Sequence, residues 1–328
     1  MLAPVVSRAQ QPLRYADMHA HLWIKQGETM RSFMADNGML LVAEKIIPDS
    51  PFIRWSKERQ SMAAFRDAKP GEVRRSFDFQ LERTLRRIKA QDLAMVTSVE
   101  SLDRVVTEKV PAIALASEGA DFLEGDLGYL RQVRARGFVH LQLLHYRLAD
   151  VGDISTEEPR YGGLSEFGKA VVGECNRLGI LVDVAHGTSA GIDQMLDLSS
   201  KPVIYSHGHV AAVIPTTWQG AVPARAIHAP LARKLAAKGG VIGLWPPWNS
   251  YPNLDLYSDE LMRMVDAYGA RHVGIGTDMD GIGRSTLPSY AEFAELPRYL
   301  GKRGLDDSGI ADVLGGNYLR VLREAMSV

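Results

Sequence analysis

The stretch LSEFGKAVVGECNRLGILVDVAH, residues 164–186, places a helical pattern directly before a short apolar run. Apolar residues recur at three- and four-residue spacing as far as Leu178, and Gly179 stands where helices commonly end. The run LVDVAH, from Leu181 to His186, has the length and composition of a buried parallel strand. The stretch therefore predicts a helix followed by a strand that ends in a histidine.

Seven further runs have the character of such strands, namely residues 14–21, 39–46, 112–118, 138–145, 202–207, 241–247 and 272–278. Helical patterns lie between most of them, including residues 77–91, 126–137, 189–198 and 259–269. Short strands that alternate with helices imply parallel strands joined by right-handed crossovers. Eight such units predict an α/β fold of the (β/α)8, or TIM-barrel, type.

Two segments leave this strand count open. LAMVTS, residues 93–98, is an alternative candidate for one of the eight strands. Residues 48–75 are irregular and predict a long loop with a helical piece, which could act as a lid over the barrel mouth.

The composition excludes several classes of function. The 328 residues are 46% apolar and 23% charged, with a net charge of -1, as in an ordinary globular protein. We find no basic stripe with interleaved aromatic residues, so we expect no nucleic-acid partner, and no apolar run long enough to span a membrane. The single cysteine, Cys175, allows no intrachain disulfide and lies in a helical pattern, where it predicts buried packing.

We expect residues 1–13 to form an N-terminal tail and residues 14–328 to form a single catalytic domain. Residues 1–10, MLAPVVSRAQ, are compatible with two interpretations. They could be the remnant of a secretory signal, which would indicate an exported or periplasmic protein, or a disordered tail of a cytoplasmic one.

Five of the nine histidines stand at the predicted carboxyl ends of strands. The active sites of TIM barrels lie at this end of the strands. Two carboxylates share the position, and the full set is His19, His21, Glu118, His145, His186, His207 and Asp278. Imidazoles and carboxylates are the nitrogen and oxygen ligands of one or two Zn²⁺-type ions. We place His140 and His272 within or at the start of strands, and His209 and His228 in loops.

Other features of the sequence support a metal site over competing chemistries. Asp17, two residues before His19, is either an outer partner of an imidazole or a surface residue. Ser117 and Ser206 lie on predicted strands, and no GxSxG elbow is present for a nucleophilic serine. The glycine spacing of GIGTDMDGIG, residues 274–283, is wrong for a nucleotide-binding loop.

From about Asp17 to Glu324, the sequence resembles the renal (membrane) dipeptidase family of zinc peptidases, within the amidohydrolase superfamily. The resemblance rests on motifs that follow one another along the chain: DMHAHL, ASEGADFLEGDLGYLRQVRARG, LQLLH, GLSEFGKAVVGECNRLGILVDVAH, KPVIYSHG, VGIGTDMDGI and DVLGGNYLRVLRE. It implies a metal-dependent dipeptidase that cleaves the amide bond of a dipeptide with a free C-terminal carboxylate. It also suggests a homodimer.

The resemblance further implies two Zn²⁺ ions per chain, bridged by Glu118 and a hydroxide. His19 would bind the first ion, while His186 and His207 would bind the second. His145 would face the substrate carbonyl, Asp278 would lie beside the hydroxide as general base and then acid, and Arg225 would hold the substrate carboxylate.

One position departs from the family pattern. The family usually has His-x-Asp on the first strand, whereas His21 stands here in the place of the aspartate. Imidazole is neutral where carboxylate is anionic, so the site loses one negative charge. Since the wider superfamily commonly uses His-x-His, His21 remains a metal-ligand candidate. The change keeps open a different small substrate on the same barrel, such as a lactone or an N-acyl amino acid, and a non-catalytic binding barrel is the remaining alternative.

Overall fold

The structure, a computed structural model, describes residues 14–22, 29–59, 61–211 and 225–328. The N-terminal tail predicted for residues 1–13 lies outside the described residues, and the domain boundaries stay a prediction. The strands are β1 (Tyr15–Ala20), β2 (Met39–Ile46), β3 (Ile53–Ser56), β4 (Ser61–Ala64), β5 (Ala94–Met95), β6 (Ala112–Glu118), β7 (Phe138–Gln142), β8 (Leu181–Asp183), β9 (Ile204–Ala211), β10 (Ala226–His228), β11 (Val241–Leu244) and β12 (Val273–Ile275).

The helices lie mainly between the strands. They are α1 (Met30–Asp36), α2 (Glu72–Ala90), α3 (Val99–Glu108), α4 (Leu127–Ala135), α5 (Glu166–Leu178), α6 (Ser189–Leu198), α7 (Ala229–Ala237), α8 (Leu254–Tyr268), α9 (Tyr290–Phe293), α10 (Leu296–Lys302), α11 (Asp307–Ala311) and α12 (Asn317–Met326). Within the described ranges, no helix is both long enough and apolar enough to cross a bilayer.

Eight parallel strands form the central barrel, in the order β1-β2-β6-β7-β8-β9-β11-β12. The circle closes where Ala20 pairs with Met279, and the His21 N–H donates to the Met279 carbonyl over 2.8 Å. The Asp278 N–H donates to the His19 carbonyl across the same seam, also over 2.8 Å. These are the eight strands that the sequence predicts, so the (β/α)8 fold is confirmed.

Asp17 reinforces the seam between the first and last strands. Its buried carboxylate accepts the backbone N–H of Thr277 over 3.0 Å and the Tyr290 hydroxyl over 3.0 Å. It also accepts the backbone N–H of His19 over 3.1 Å. Asp17 is therefore not a surface residue, and its contact with His19 is to the backbone and not to the ring.

The opening stretch of the sequence folds as its pattern predicts. The Ser165 side chain caps the amino end of α5 by accepting the Gly168 N–H, and Gly179 ends the helix with a φ of 68°. Val171, Val172 and Cys175 are buried, which supports packing as the role of this cysteine. The helix thus presents an apolar face to the barrel, and β8 follows it at Leu181.

The barrel interior changes from apolar to polar along the strands. Alternate residues of β6 begin with the small Ala112, Ala114 and Ala116, and end with Glu118. At the other end of the barrel, Tyr318 of α12 packs into the same apolar cluster as these alanines. Gly315, in the turn before α12, has a φ of 157°, and a Cβ there would lie 2.5 Å from the Ala16 nitrogen. Only glycine lets this turn pack against β1.

Several predicted boundaries are wrong because pairing partners far away in sequence decide where a strand ends. His21, His145, His186 and Asp278 lie just beyond β1, β7, β8 and β12, and not within them. Strand β9 continues to Ala211 because β10 pairs with its last residues. His209 therefore lies in β9 and His228 in β10, and the loops predicted for them are wrong.

The irregular segment 48–75 contains helical structure, as predicted, and a β-hairpin that the sequence did not reveal. A short 3₁₀ turn, Ser50–Phe52, precedes the antiparallel hairpin of β3 and β4, and α2 begins at Glu72. The alternative strand LAMVTS contributes only β5, which pairs with Ala112 and Ile113 at the start of β6. It displaces none of the eight barrel strands.

Candidate metal centre

Glu118, at the end of β6, lies at the centre of the histidine cluster. Its Oε1 is 3.3 Å from His186 Nε2, and 3.5 Å from both His19 Nε2 and His207 Nε2. Its Oε2 is 3.2 Å from His21 Nε2 and 3.3 Å from His145 Nε2. All of these side chains are buried. The structure thus brings all five predicted histidines to one carboxylate.

The ring nitrogens also converge on one another in pairs. His19 Nε2 lies 3.3 Å from His21 Nε2, and His186 Nε2 lies 3.2 Å from His207 Nε2. Asp278 Oδ1 completes the cluster at 3.3 Å from His21 Nε2. Three sets of side chains have ligand atoms close enough together to hold a metal ion: His19, His21 and Asp278; His19, Glu118 and His207; and Glu118, His145 and His186.

The opposite nitrogens of several rings are held by fixed partners. His21 Nδ1 is 3.0 Å from the Lys45 carbonyl oxygen, to which it can donate. His19 Nδ1 and His207 Nδ1 both contact the Ser206 hydroxyl. A hydrogen bond at Nδ1 directs Nε2 towards the centre and sets the tautomer that binds metal. His19, His21 and His207 are therefore oriented as ligands before any ion binds.

Burial shifts the pKa values of the ring nitrogens in two directions. Removal from water lowers the pKa of His19 and of His186 to about 4, and that of His207 well below its usual value. Burial also opposes charge on His21, but hydrogen bonds to Asp278 and Glu118 outweigh it and raise its pKa to about 10. Most of the rings are thus neutral near pH 7, which is the form that binds metals.

The residues present fit divalent cations. Burial would raise the pKa of Glu118, but the charge of His145 and the nearby ring nitrogens of His186 and His19 hold it well below its usual range, so Glu118 is an anionic candidate ligand. Its buried Oε1 finds no partner of hydrogen-bonding geometry among the described residues, although three imidazole nitrogens surround it. A cation among these atoms would satisfy the carboxylate and would take the place of the His21 proton.

Asp278 and Arg225 form the other side of the centre. Arg225 Nη1 donates to Asp278 Oδ2 over 3.1 Å, and Trp245 Nε1 donates to the same oxygen over 3.0 Å. Arg225 Nε donates to the Tyr146 hydroxyl over 2.9 Å, and the guanidinium carbon lies 4.3 Å from the Trp245 ring centre. The predicted substrate-binding arginine, Arg225, thus lies beside the histidine cluster. It is buried there and is paired with Asp278, the predicted base.

Asp49, in the segment after β2, is a site residue that the sequence analysis missed. Its Oδ1 lies 2.7 Å from His145 Nδ1, and its Oδ2 accepts the Tyr146 N–H over 3.3 Å. Burial lowers the pKa of His145, but the charges of Asp49 and Glu118 outweigh this effect and raise it. The signal was only a lone aspartate in PDSP, within a segment interpreted as a loop.

Beneath the histidine cluster lies a layer of buried polar groups that the sequence analysis also missed. Lys45 Nζ lies 2.8 Å from Asp183 Oδ2 and 3.0 Å from His140 Nε2. His140 Nδ1 contacts the Tyr318 hydroxyl at 3.1 Å, at the bottom of the barrel. The sequence offered one sign of this layer, which is the alternation of strand residues between two faces. That alternation places Lys45, His140 and Asp183 at inward-facing positions of strands that otherwise look apolar.

The sequence and the fold of this chain resemble those of known proteins. A sequence model of the membrane dipeptidase family, peptidase family M19, matches residues 64–328. A dipeptidase of Aspergillus oryzae, aclJ, is 31% identical over 65% of this chain and 51% of its own length. The matches therefore span about half the length of such curated relatives.

Two solved structures share the fold. The probable dipeptidase PvdM of Pseudomonas aeruginosa superposes with a TM-score of 0.77 at 20% identity, over 96% of each chain. A metallopeptidase of Rhodobacter sphaeroides, solved with a phosphinate mimic of the dipeptide L-Ala-D-Ala, has a TM-score of 0.76 at 19% identity, over 96% of this chain and 100% of its own. With its metal-ligand cluster at the barrel mouth and the family match over most of its length, the chain belongs to the membrane dipeptidase family of metallopeptidases.

Proposed function

We propose that the protein is a metal-dependent dipeptidase, which hydrolyses the amide bond of a dipeptide with a free C-terminal carboxylate. The observation that carries this proposal is the joint placement of a metal-ligand cluster, a buried carboxylate and a buried arginine at one barrel mouth. The family supports the reaction class. The dipeptide mimic bound by the Rhodobacter sphaeroides metallopeptidase supports the substrate class.

We further propose that two Zn²⁺ ions bind in this cluster. His19 and His21 would hold one ion, His186 and His207 the other, and Glu118 lies within reach of both pairs. When bound, such ions acidify a water molecule and polarise the amide carbonyl. The homodimer suggested by the family resemblance stays a prediction.

The protein side chains supply the proton transfers and the stabilisation of charge. Asp278 Oδ1 faces the ligand cluster, where it accepts the proton of the attacking water and later delivers it to the leaving amine. His145 Nε2 donates a hydrogen bond to the carbonyl oxygen as negative charge develops there. Asp49 holds the opposite nitrogen of that ring at 2.7 Å, so the ring keeps both its orientation and its proton.

Arg225 is the proposed partner of the substrate carboxylate. Its contacts with Tyr146 and Asp278 use two of the five guanidinium N–H donors. The planar guanidinium can therefore pair with a carboxylate while it stays fixed by these contacts. Because Arg225 is buried, water is excluded from its contact with the substrate carboxylate, which strengthens that contact.

Replacing Arg225 with glutamine tests both the residue and the substrate class. We expect KM for a dipeptide to rise about 10- to 100-fold, because a hydrogen bond to a charged group contributes roughly 1.5–3 kcal/mol. The assay compares a dipeptide with its C-terminal amide, an N-acyl amino acid and a small lactone. The amide and the lactone lack the carboxylate, so the substitution should change their KM far less.

A matched control is Arg284→Gln, since Arg284 is an exposed arginine that also stacks on a tryptophan, Trp248. It should leave KM for the dipeptide unchanged. Equal effects of Arg225→Gln on all substrates would contradict carboxylate recognition. Failure of the metal-loaded wild-type protein to hydrolyse the dipeptide would contradict the proposed function itself.

Replacing Asp49 with asparagine should lower kcat for the dipeptide about 10- to 100-fold, with metal content unchanged. The reason is that the anionic partner which keeps the proton on His145 is lost. Steady-state kinetics with metal analysis of the same preparation measures both quantities.

Asp67→Asn is the control for Asp49→Asn, because Asp67 is an exposed aspartate of the same irregular segment. It should behave as the wild-type protein. If Asp49→Asn instead loses metal in proportion to activity, His145 is a metal ligand and not the partner of the carbonyl oxygen. Its Nε2 lies close enough to Glu118 for that alternative.

A second candidate function is the hydrolysis of another small substrate, a lactone or an N-acyl amino acid. The observation that favours it is His21, which contacts both carboxylates of the site where the family resemblance leads us to expect an aspartate. Preferred hydrolysis of the lactone or of the N-acyl amino acid in the same panel would select this function.

A further inference from the structure

The Ser206 hydroxyl connects two histidines of the candidate metal centre. Its Oγ lies 3.1 Å from His19 Nδ1 and 3.0 Å from His207 Nδ1, and the residue is fully buried. The two rings face each other with centroids 3.8 Å apart. Their far nitrogens, both Nε2, lie 3.5 Å from the same Glu118 oxygen. One hydroxyl therefore contacts Nδ1 of two rings, and Nε2 of each ring lies near Glu118.

The chemistry of a hydroxyl group limits how these contacts can be made. A neutral imidazole that binds a metal through Nε2 carries its proton on Nδ1, where it can only donate. A serine oxygen has two acceptor lone pairs, so it can accept from both Nδ1 atoms at once. This is the arrangement in which both Nε2 atoms are free to bind metal. A Ser206 oxygen that accepts from both rings would fix that pair of tautomers.

Ser206 is itself held in place from below. Its backbone N–H donates to Asp183 Oδ1 over 3.1 Å, and the second oxygen of Asp183 pairs with Lys45 Nζ at 2.8 Å. On the neighbouring strand, a Cβ at Gly243 would lie 1.9 Å from the Ser206 carbonyl oxygen, so glycine permits the close approach of β11. The backbone that carries the Ser206 hydroxyl is thus held in place from both sides.

We propose that Ser206 is a positioning residue that couples the two metal positions, because it orients one ligand of each. His19 belongs to the first position and His207 to the second, an assignment that rests on the two-ion site proposed above. Loss of the hydroxyl removes the constraint on both rings together. Both ions should then bind more weakly, although Ser206 touches neither.

The chain offers a closely matched control in Ser117. It is fully buried, lies on a barrel strand and immediately precedes the candidate ligand Glu118, as Ser206 precedes His207. Its hydroxyl, however, donates to the Gly119 carbonyl over 3.0 Å. Ser117→Ala therefore removes the same atom from a similar place without touching a histidine.

The test is a calorimetric titration of the metal-free full chain with Zn²⁺, for the wild-type protein, Ser206→Ala and Ser117→Ala. We expect Ser206→Ala to weaken both binding steps about 10- to 100-fold, as the loss of partners behind metal ligands commonly does. Ser117→Ala should leave both steps nearly unchanged, because its hydroxyl bonds to the Gly119 backbone and to neither ring. The absorption bands of the Co²⁺-loaded protein should shift in Ser206→Ala and stay in place in Ser117→Ala.

Ser206→Thr keeps the hydroxyl and should restore both affinities, which guards against a folding defect in the alanine variant. Weakening of one step alone, or of neither, would overturn the coupling by Ser206 and leave the proposed two-metal function in place. Equal weakening in Ser117→Ala would reduce the effect to general packing and overturn it as well. Binding of fewer than two ions by the wild-type protein would overturn the proposed two-ion site, a result separate from the others.

Discussion

Asp278→Asn is expected to lower kcat for the dipeptide by about 10²- to 10⁴-fold, the range that a general base supplies, while metal content stays close to that of the wild-type protein. Burial would raise the pKa of Asp278, but the His21 hydrogen bond and the Arg225 charge hold it below its usual value. The carboxylate is therefore anionic near pH 7 and ready to accept a proton. Asparagine has the same shape but cannot accept that proton, whereas its oxygen can still accept from Arg225 and Trp245.

The backbone at this position also suits asparagine. Asp278 has a φ of 51°, in the left-handed region that asparagine tolerates better than most residues. Asp280, two residues on, is exposed and has a φ of 64°, so Asp280→Asn is a control of the same chemistry in the same turn. It should keep full activity. Unchanged kcat in Asp278→Asn would remove Asp278 from the mechanism, and loss of metal together with kcat would make it a ligand.

Lys45→Met is expected to lower the free energy of unfolding by about 3–5 kcal/mol, the usual effect of removing one partner from a buried ion pair. Lys45 and Asp183 are both completely buried and lie 2.8 Å apart. Burial lowers the pKa of Lys45, and the Asp183 charge opposes that shift. Without the ammonium group, Asp183 stays as a buried anion whose remaining partners among the described residues are His140 and backbone N–H groups. Urea unfolding of the metal-free protein measures the change.

Two further variants test whether the loss of stability in Lys45→Met comes from the unpaired charge on Asp183. Lys45→Met combined with Asp183→Asn buries no unpaired charge and should recover part of the stability, since the amide oxygen can still accept the Ser206 N–H. Lys234→Met breaks two partly exposed ion pairs, with Asp193 and Asp197, and should have little effect. If Lys45→Met proves as mild as Lys234→Met, the Lys45–Asp183 pair does not stabilise the barrel.

The fold could be predicted from the sequence because each barrel strand carries its signal locally. The runs at residues 39–46 and 112–118 match β2 and β6 residue for residue, since they are continuous apolar segments between helices. The position of Glu118 at the end of its strand followed directly. Strand ends that depend on a distant partner, such as the extension of β9 by β10, leave no local trace.

The sequence predicted those residues of the candidate site that lie at strand ends, but not the residues that support them. Histidines at strand ends are unusual enough to be noticed one by one, and the fold then brings them together. Asp49 was missed because its contact with His145 spans 96 residues and begins in a segment without a regular pattern. Ser206 was considered only as a nucleophile, because its role depends on the two rings between which it lies. Contacts of this kind follow from packing, which a pattern of residue types does not specify.

The seam between β1 and the residues after β12 sets the order of events during biosynthesis. Asp17 and Thr277, which meet there, are 260 residues apart in the chain. At about 5–20 residues per second, a ribosome takes roughly 13–50 s to make the intervening segment. Throughout that time His19 and His21 have been synthesised but lack Asp278. A nascent chain therefore cannot assemble the complete cluster, and we expect ions to be acquired after translation has passed the last strand.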